Sequence, residues 1–511
     1  MSNTETSENT VRLDGRTLSL EDVWRVSCEE GVRVGLAPGA RERMEASRAY
    51  IEERVASGEP VYGVTTGFGR LADVAIAENE RTALQHNLVR SHASGMGDPL
   101  HATAVRALMV LRANALARGV SGCRVAVVAR LVDFLNHRIH PRVPEFGSVG
   151  ASGDLAPLAH VASALLGEGE AERGGAWGPV DEWLREEGLD PLTLESKEGL
   201  ALINGTQATT GIGVLALVRA ERALETADVA AAMSLEALLG TPEAFRAEIH
   251  EARPHGGQIA TAARLRRLLA DSEIRESHRE GDARVQDAYA LRCVPQVHGA
   301  AWHALAYARG ILETEANSAT DNPLVFPEAR TVVSGGNFHA QIVSQALDLL
   351  AIACADLAAI SERRIERLLN PDLSMGLPAF LAANPGLESG FMIAQVTAVD
   401  LLAELRILSH PASVDSVTTS ANQEDHVSMG MAAARKADRA VACLERVLAT
   451  ELMCAAEGIE YRRPLRGGVG VEIAHGRVRD RVARLSGDRA LGPDLDAMTE
   501  LVRGGSFTGI A

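Results

Sequence analysis

Cysteine is scarce and scattered. Six residues (Cys28, Cys123, Cys293, Cys354, Cys443 and Cys454) form no CxxC pair, so neither a disulfide framework nor a zinc site is expected, and a reducing cytoplasm fits best. Positive charge is also short: 51 Lys and Arg against 68 Asp and Glu leave a formal charge of -17. That balance opposes binding to phosphate backbones, so nucleic acid is not an expected partner, while small-molecule chemistry stays open. The opening MSNTETSENT lacks the basic start and apolar stretch of a secretory signal and reads as a frayed tail. No long apolar run is free of charge. The most membrane-like window, 341–360, is interrupted by Asp348 and Asp356, and carboxylates at membrane depth are expensive. It reads as a buried bundle helix, with no membrane partner.

What is present is enough apolar residue, 46% of 511, to bury a large core in several domains or in one helical body. VRLDG reads as a short strand and turn, and Ser19 with Asp22 as a helix cap. From about Ile51 to Leu166, helical patterns alternate with glycine-rich breaks at 63–69, 95–97 and 147–153. The stretch 168–197, with Gly174-Gly175, suits a surface excursion carrying a short hairpin. Beyond it, 210–239, 297–316, 339–369, 389–408 and 426–457 are rich in alanine and leucine and several are apolar almost all round, which predicts helices inside a bundle. Asn370-Pro371 and Gly458 are expected to stop two of them. No internal repeat or low-complexity segment is evident. The expected division is 1–205, 206–410 and 411–511.

In Gly147-Ser148-Val149-Gly150-Ala151-Ser152-Gly153-Asp154-Leu155, small residues crowd around one serine. On composition this is a loop. A sharper alternative is self-modification: the Gly153 amide nitrogen attacks the Ala151 carbonyl, and loss of water turns Ser152 into an exocyclic methylene.

GSVGASGDLAPLAH (147–160) resembles the signature of the histidine, phenylalanine and tyrosine ammonia-lyases. The resemblance continues through YGVTTGFG (62–69), LQHNLVRSHASGMG (84–97), KEGLALINGTQ (197–207), ARPHGGQ (252–258) and VQDAYALRCVPQV (285–297). It runs on through SATDNPLVF (318–326), SGGNFHAQ (334–341), SERRIERLLNP, HPASVDS and SANQEDHVSMG (420–430), covering roughly 55 to 460.

The resemblance implies a mainly α fold of the aromatic ammonia-lyase and fumarase-like type: a long helical bundle with a mixed, loop-rich N-terminal part. It implies a 4-methylidene-imidazol-5-one made from Ala151, Ser152 and Gly153, with no external cofactor and no metal. The chemical need is clear, because the β-proton is barely acidic and the amine is a poor leaving group until it adds to an electrophile. Tyr62 matches the motif tyrosine that acts as base. Arg292 offers a forked grip on the substrate carboxylate. Asn204, Gln286 and Tyr289 match positions that orient substrate and polarise the ring carbonyl. Phe338 matches the shielding aromatic, and Asp154 looks placed to assist dehydration. A homotetramer with sites shared between subunits is also implied.

Two places discriminate the substrate. Ser91-His92 resembles the Ser-His of histidine-specific members, and Glu424 stands where the aromatic-specific members typically carry Gln-Asp-Val or similar. His92 and Glu424 offer polar recognition of an imidazole that phenylalanine cannot satisfy. The implied reaction is L-histidine to trans-urocanate and ammonia, the opening of histidine degradation. Alternatives are a tyrosine or phenylalanine ammonia-lyase, an aromatic 2,3-aminomutase, or an inactive helical scaffold or binding protein. QDAYALRC in place of QDPYSLRC, and Ala403-Glu404-Leu405-Arg406 in place of Ser-Glu-Asn-Lys, depart from the pattern without removing a catalytic group. The pairs His250 with His255 and His298 with His303 do not put two ligands on one helical face.

Overall fold

A computed structural model describes residues 9–57, 61–69, 73–282 and 284–510; most of the expected frayed tail, residues 1–8, lies outside them. Helices hold 58% of the chain, so the mainly α expectation is met. Two compact units are formed: Met1–Leu215 with Arg309–Leu347 and Pro411–Arg435, and Ala216–Ala308 with Asp348–His410 and Lys436–Ala511.

In the first unit the helix Ala102–Ala117 is buried from Val105 onward. It packs with Val125–Asn136, whose Val127, Val128, Leu131, Phe134 and Leu135 recur at the spacing of one buried face. Short strands edge this core. Thr10–Leu13 pairs in parallel with Arg33–Leu36, Met96–Pro99 pairs antiparallel with Pro144–Phe146, and Leu324–Phe326 forms a hairpin with Thr331–Val333. The predicted excursion is a hairpin, Glu170–Arg173 with Ala176–Pro179, whose turn is Gly174-Gly175. Ser19 caps its helix as predicted, accepting from the Asp22 amide at 3.0 Å.

The long predicted helices are Gln207–Ala237, Val294–Ala316, Gln341–Leu369, Met392–Leu408 and Gly430–Glu460. The unit boundaries fall inside four of them. Gln341–Leu369 is long and apolar enough to cross a membrane by length and composition, yet 61% of its most apolar window is buried in the protein, as a core helix requires. It ends at Leu369, before Asn370-Pro371. Gly458 does not stop its helix, which runs to Glu460. A Cβ there would lie 2.9 Å from that of Ala237 and 3.4 Å from Leu368 and Leu377, so this glycine serves close packing.

The second unit buries charge. Arg364 and Glu451 are fully enclosed, and Glu451 also accepts from Ser234 at 2.7 Å and Ser361 at 2.6 Å. Removing one partner of such a pair costs about 3–5 kcal/mol. Glu236 is different: it accepts the Gly468 amide at 3.0 Å, and burial pushes its carboxyl up to about 7. The folded state therefore binds the proton more tightly than the unfolded chain, and this stabilisation is lost as pH rises from 4.5 through 7. Glu236→Gln keeps an acceptor and should gain about 2–3 °C in unfolding midpoint over the parent at pH 8 relative to pH 5. Paired melts at the two pH values check this; an unchanged difference would refute it.

Candidate functional site

The segment 147–155 lies between the strand Pro144–Phe146 and the helix Ala156–Leu165. Its backbone turns through positive φ at Gly147, Gly150, Gly153 and Leu155. At Gly153 the requirement for glycine is strict, since φ is 76° and a Cβ would stand 2.3 Å from the Gly205 carbonyl oxygen. Gly153 and Gly205 bridge in parallel, and the Asp154 amide donates to Gly205 O at 2.7 Å. Gly150 is pinned likewise: Ser428 Oγ donates to its carbonyl at 3.0 Å, and the Met429 amide donates to Val149 O at 2.8 Å.

This pinning presents Ser152 to a cavity of about 830 Å³. Ser152 Oγ donates to Glu424 Oε1 at 2.7 Å, and Asn204 Nδ2 donates to the Ser152 carbonyl at 2.6 Å. Tyr62, His92, Ala151 and Phe338 line the same cavity. The structure thus gathers six of the predicted residues around Ser152. The Asn204 amide oxygen is buried without a partner, an acceptor held ready in the site.

Each side chain is set from behind. Tyr62 Oη accepts the Gly69 amide at 2.9 Å, and its ring meets Phe68 edge-on at 6.4 Å. His92 ends the helix Arg81–His92, its Nδ1 lying 2.9 Å from Leu88 O. That carbonyl can only accept, so Nδ1 carries the proton and Nε2 is left as an acceptor. Burial holds the His92 pKa below its usual value, against upward pulls from Leu88 O and the Glu424 carboxylate, which keeps the ring neutral near pH 7.

Asp154 turns away from the cavity. Fully buried, it caps the helix Gln207–Ala237, accepting Ala208 N at 2.7 Å, Thr209 N at 3.2 Å and Thr209 Oγ1 at 2.5 Å. Burial pushes its carboxyl up to about 6 despite these donors. Lys197 and Asp321, both buried, pair at 2.6 Å, tying the helix Glu198–Ile203 that precedes Asn204 to the segment of Asn322, which also lines the cavity.

Sequence reasoning missed the hydroxyls that hold Glu424. Its Oε2 accepts from Thr419 Oγ1 and Ser420 Oγ, each at 2.8 Å. Ser420, Ala421 and Asn422 all sit at positive φ, a strained turn costing about 1 kcal/mol or more per residue. Both hydroxyls belong to or adjoin the SANQEDHVSMG motif, but nothing in its spacing signals the turn. His339 and His426 were also passed over; they line the cavity with rings stacked at 5.7 Å.

Gln286, Tyr289 and Arg292 belong to the second unit and are not among the residues lining this cavity. Arg292 stacks over the Tyr289 ring at 4.5 Å, while Gln286 and Tyr289 are exposed.

A mainly helical chain with a glycine-pinned serine, an amide on its carbonyl and a tyrosine in the same cavity has the parts of a lyase site. Residues 18–480 match the aromatic amino acid lyase family. The chain belongs to this family and is a carbon–nitrogen lyase. It is 54% identical over 506 residues to a histidine ammonia-lyase of Anaeromyxobacter sp. (strain K), covering 98% of this chain and 99% of that one. Among solved structures it resembles the histidine ammonia-lyase of Trypanosoma cruzi, with TM-score 0.91, 44% identity, and coverage of 98% and 94%. It also resembles the tyrosine aminomutase of Streptomyces globisporus, with TM-score 0.93, 39% identity, and coverage of 98% of each chain.

Proposed function

We propose that this protein is a histidine ammonia-lyase, converting L-histidine to trans-urocanate and ammonia as the first step of histidine degradation, in the cytoplasm and as a homotetramer with shared sites. The observation that carries the substrate is the meeting of Glu424 with Ser152 at 2.7 Å in the cavity that His92 lines. A carboxylate and a neutral imidazole acceptor suit the two N–H groups of a protonated substrate imidazole, and the carboxylate alone suits the single N–H of the neutral ring; a phenyl ring would leave both acceptors unpaired.

The residues fit a 4-methylidene-imidazol-5-one built from Ala151, Ser152 and Gly153. Gly153 is bent against Gly205 where no side chain fits, and Asn204 already donates to the Ser152 carbonyl, the oxygen such a ring would retain. When formed, the group supplies an electrophilic methylene conjugated to that carbonyl. Asn204 then stabilises negative charge on the oxygen. Tyr62 removes the β-proton, its oxygen already positioned by the Gly69 amide. Phe338 walls the cavity from water. Arg292 holds the substrate carboxylate, with Gln286 and Tyr289 beside it on the same short segment. Exposure of Gln286 and Tyr289, and of Ile393, Val396, Val399 and Ile407 along Met392–Leu408, supports an assembly in which another subunit covers them.

The test gives histidine, tyrosine and phenylalanine separately to the purified protein and reads conjugated acid by ultraviolet absorbance with ammonia in parallel. Urocanate and ammonia from histidine are expected, with the other two turned over at least about a hundredfold more slowly. Cinnamate or coumarate as the main product overturns the substrate assignment, a β-amino acid points to an aminomutase, and no product from any of the three points to a silent scaffold.

A further inference from the structure

Beside the hairpin Leu324–Phe326 and Thr331–Val333, the first unit contains a second cavity of about 930 Å³ that no step of the lyase reaction uses. Arg16, Arg43 and Arg118 line it, Glu328 is the one acidic residue of its lining, and Phe326 and Pro327 give it an apolar wall. Two of the arginines are oriented by neutral acceptors: Arg43 donates to Asp14 O at 2.6 Å and Arg118 O at 3.3 Å, and Arg118 donates to Asn317 O at 2.7 Å and Gly15 O at 3.2 Å. Carbonyl oxygens fix a guanidinium without cancelling its charge. A further acid, Asp14, hydrogen-bonds its carboxylate to the Arg16 amide at 2.8 Å and to the Thr17 amide and hydroxyl at 2.9 Å, and against the upward push of burial these donors and the nearby Arg43 guanidinium lower its pKa.

The arginines are brought together by design of the backbone. A Cβ at Gly15 would lie 2.4 Å from Arg118 Cα, and one at Gly119 would lie 2.5 Å from Arg43 Cβ. Three arginines against Glu328 and Asp14 leave net positive charge on a chain whose total is -17, the local inversion that concentrates anions. The cavity also adjoins the reaction site in sequence. Asn337 lines it and donates to Ala319 O at 3.2 Å, while the next residue, Phe338, lines the Ser152 cavity.

We propose that this cavity binds a small organic anion, its phosphate or dicarboxylate head held by the arginines and its apolar body against Phe326 and Pro327. Occupancy is transmitted through Asn337 to Phe338. The coupling half of this inference rests on the proposed histidine activity; the binding half does not.

The test is calorimetric titration of the full-length protein with phenyl phosphate and with phthalate, phenol serving as the neutral control. Binding of one or both anions at micromolar to low millimolar concentration is expected, the stronger one identifying the head group. Arg16→Gln should weaken it at least tenfold, Glu328→Gln should strengthen it severalfold, and Ser152→Ala should leave it unchanged. No binding of either anion, or affinities equal in the parent and both charge variants, overturns the site; sensitivity to Ser152→Ala places the probe in the reaction cavity instead. Saturating probe should shift the histidine KM at least twofold in the parent and not in Arg16→Gln. A constant KM with binding intact removes the coupling, whereas absence of turnover without probe is a failure of the proposed activity.

Discussion

Ser152→Ala is expected to abolish release of ammonia from histidine, by at least about a thousandfold, while leaving the helical fold in place. The loss follows from chemistry: without a hydroxyl on Cβ no dehydration gives a methylene, and the amine keeps its poor leaving-group character. The folded state has little to lose. Before modification Ser152 Oγ makes one hydrogen bond, to Glu424, which formation of the methylene gives up in the parent as well, and the carboxylate retains Thr419 and Ser420 as donors, so the change in stability should stay near about 1 kcal/mol. Far-ultraviolet circular dichroism reads the fold and parallel assays read the reaction. Mass spectrometry of the peptide spanning 147–155 reads the cause: the parent should be lighter by two waters and the variant should not. Near-normal activity in Ser152→Ala would end the mechanism, and an unmodified parent peptide with full activity would end the electrophile.

Much of this site was legible in the sequence because its chemistry demands particular residue types on short segments. Ala151, Ser152, Gly153, Tyr62, Asn204, Phe338, His92 and Glu424 each stand in a motif whose order along the chain carries the resemblance, and the structure brings seven of them, Gly153 apart, to the lining of one cavity. Helices were legible from their alanine- and leucine-rich stretches to within a few residues. Gly458 was misread because a helix interior and a helix end use glycine for different reasons, close approach and positive φ, and only packing tells them apart. The strained turn at Ser420, Ala421 and Asn422 was not legible: no glycine marks it, and it persists because Thr419 and Ser420 hydroxyls and the Thr419 backbone close it onto Glu424. The arginine cavity was invisible for another reason. Arg16, Arg43 and Arg118 are far apart in sequence, belong to no motif, and meet only because Gly15 and Gly119 let backbones touch.

Glu424→Gln is expected to lower kcat/KM for histidine about a hundredfold, about 2.7 kcal/mol, and to narrow the preference for histidine over phenylalanine. The carboxylate presents only acceptors: Oε2 is engaged by Thr419 and Ser420, and Oε1 by Ser152. Once Ser152 is consumed in forming the electrophile, Oε1 is the acceptor left to the substrate imidazole. A carboxamide keeps the shape but replaces one acceptor by a donor. Either the substrate ring or the two hydroxyls that hold the turn then lose a partner, and a buried unpaired group is penalised more than a hydrogen bond is worth. Because Glu424 touches Ser152, loss of activity has a second possible origin, failure to form the electrophile. The peptide mass separates them: the variant should show the two-water deficit in full while turning histidine over slowly. A full deficit with unchanged discrimination between histidine and phenylalanine would show that Glu424 does not read the imidazole, and the selectivity would then have to reside in His92.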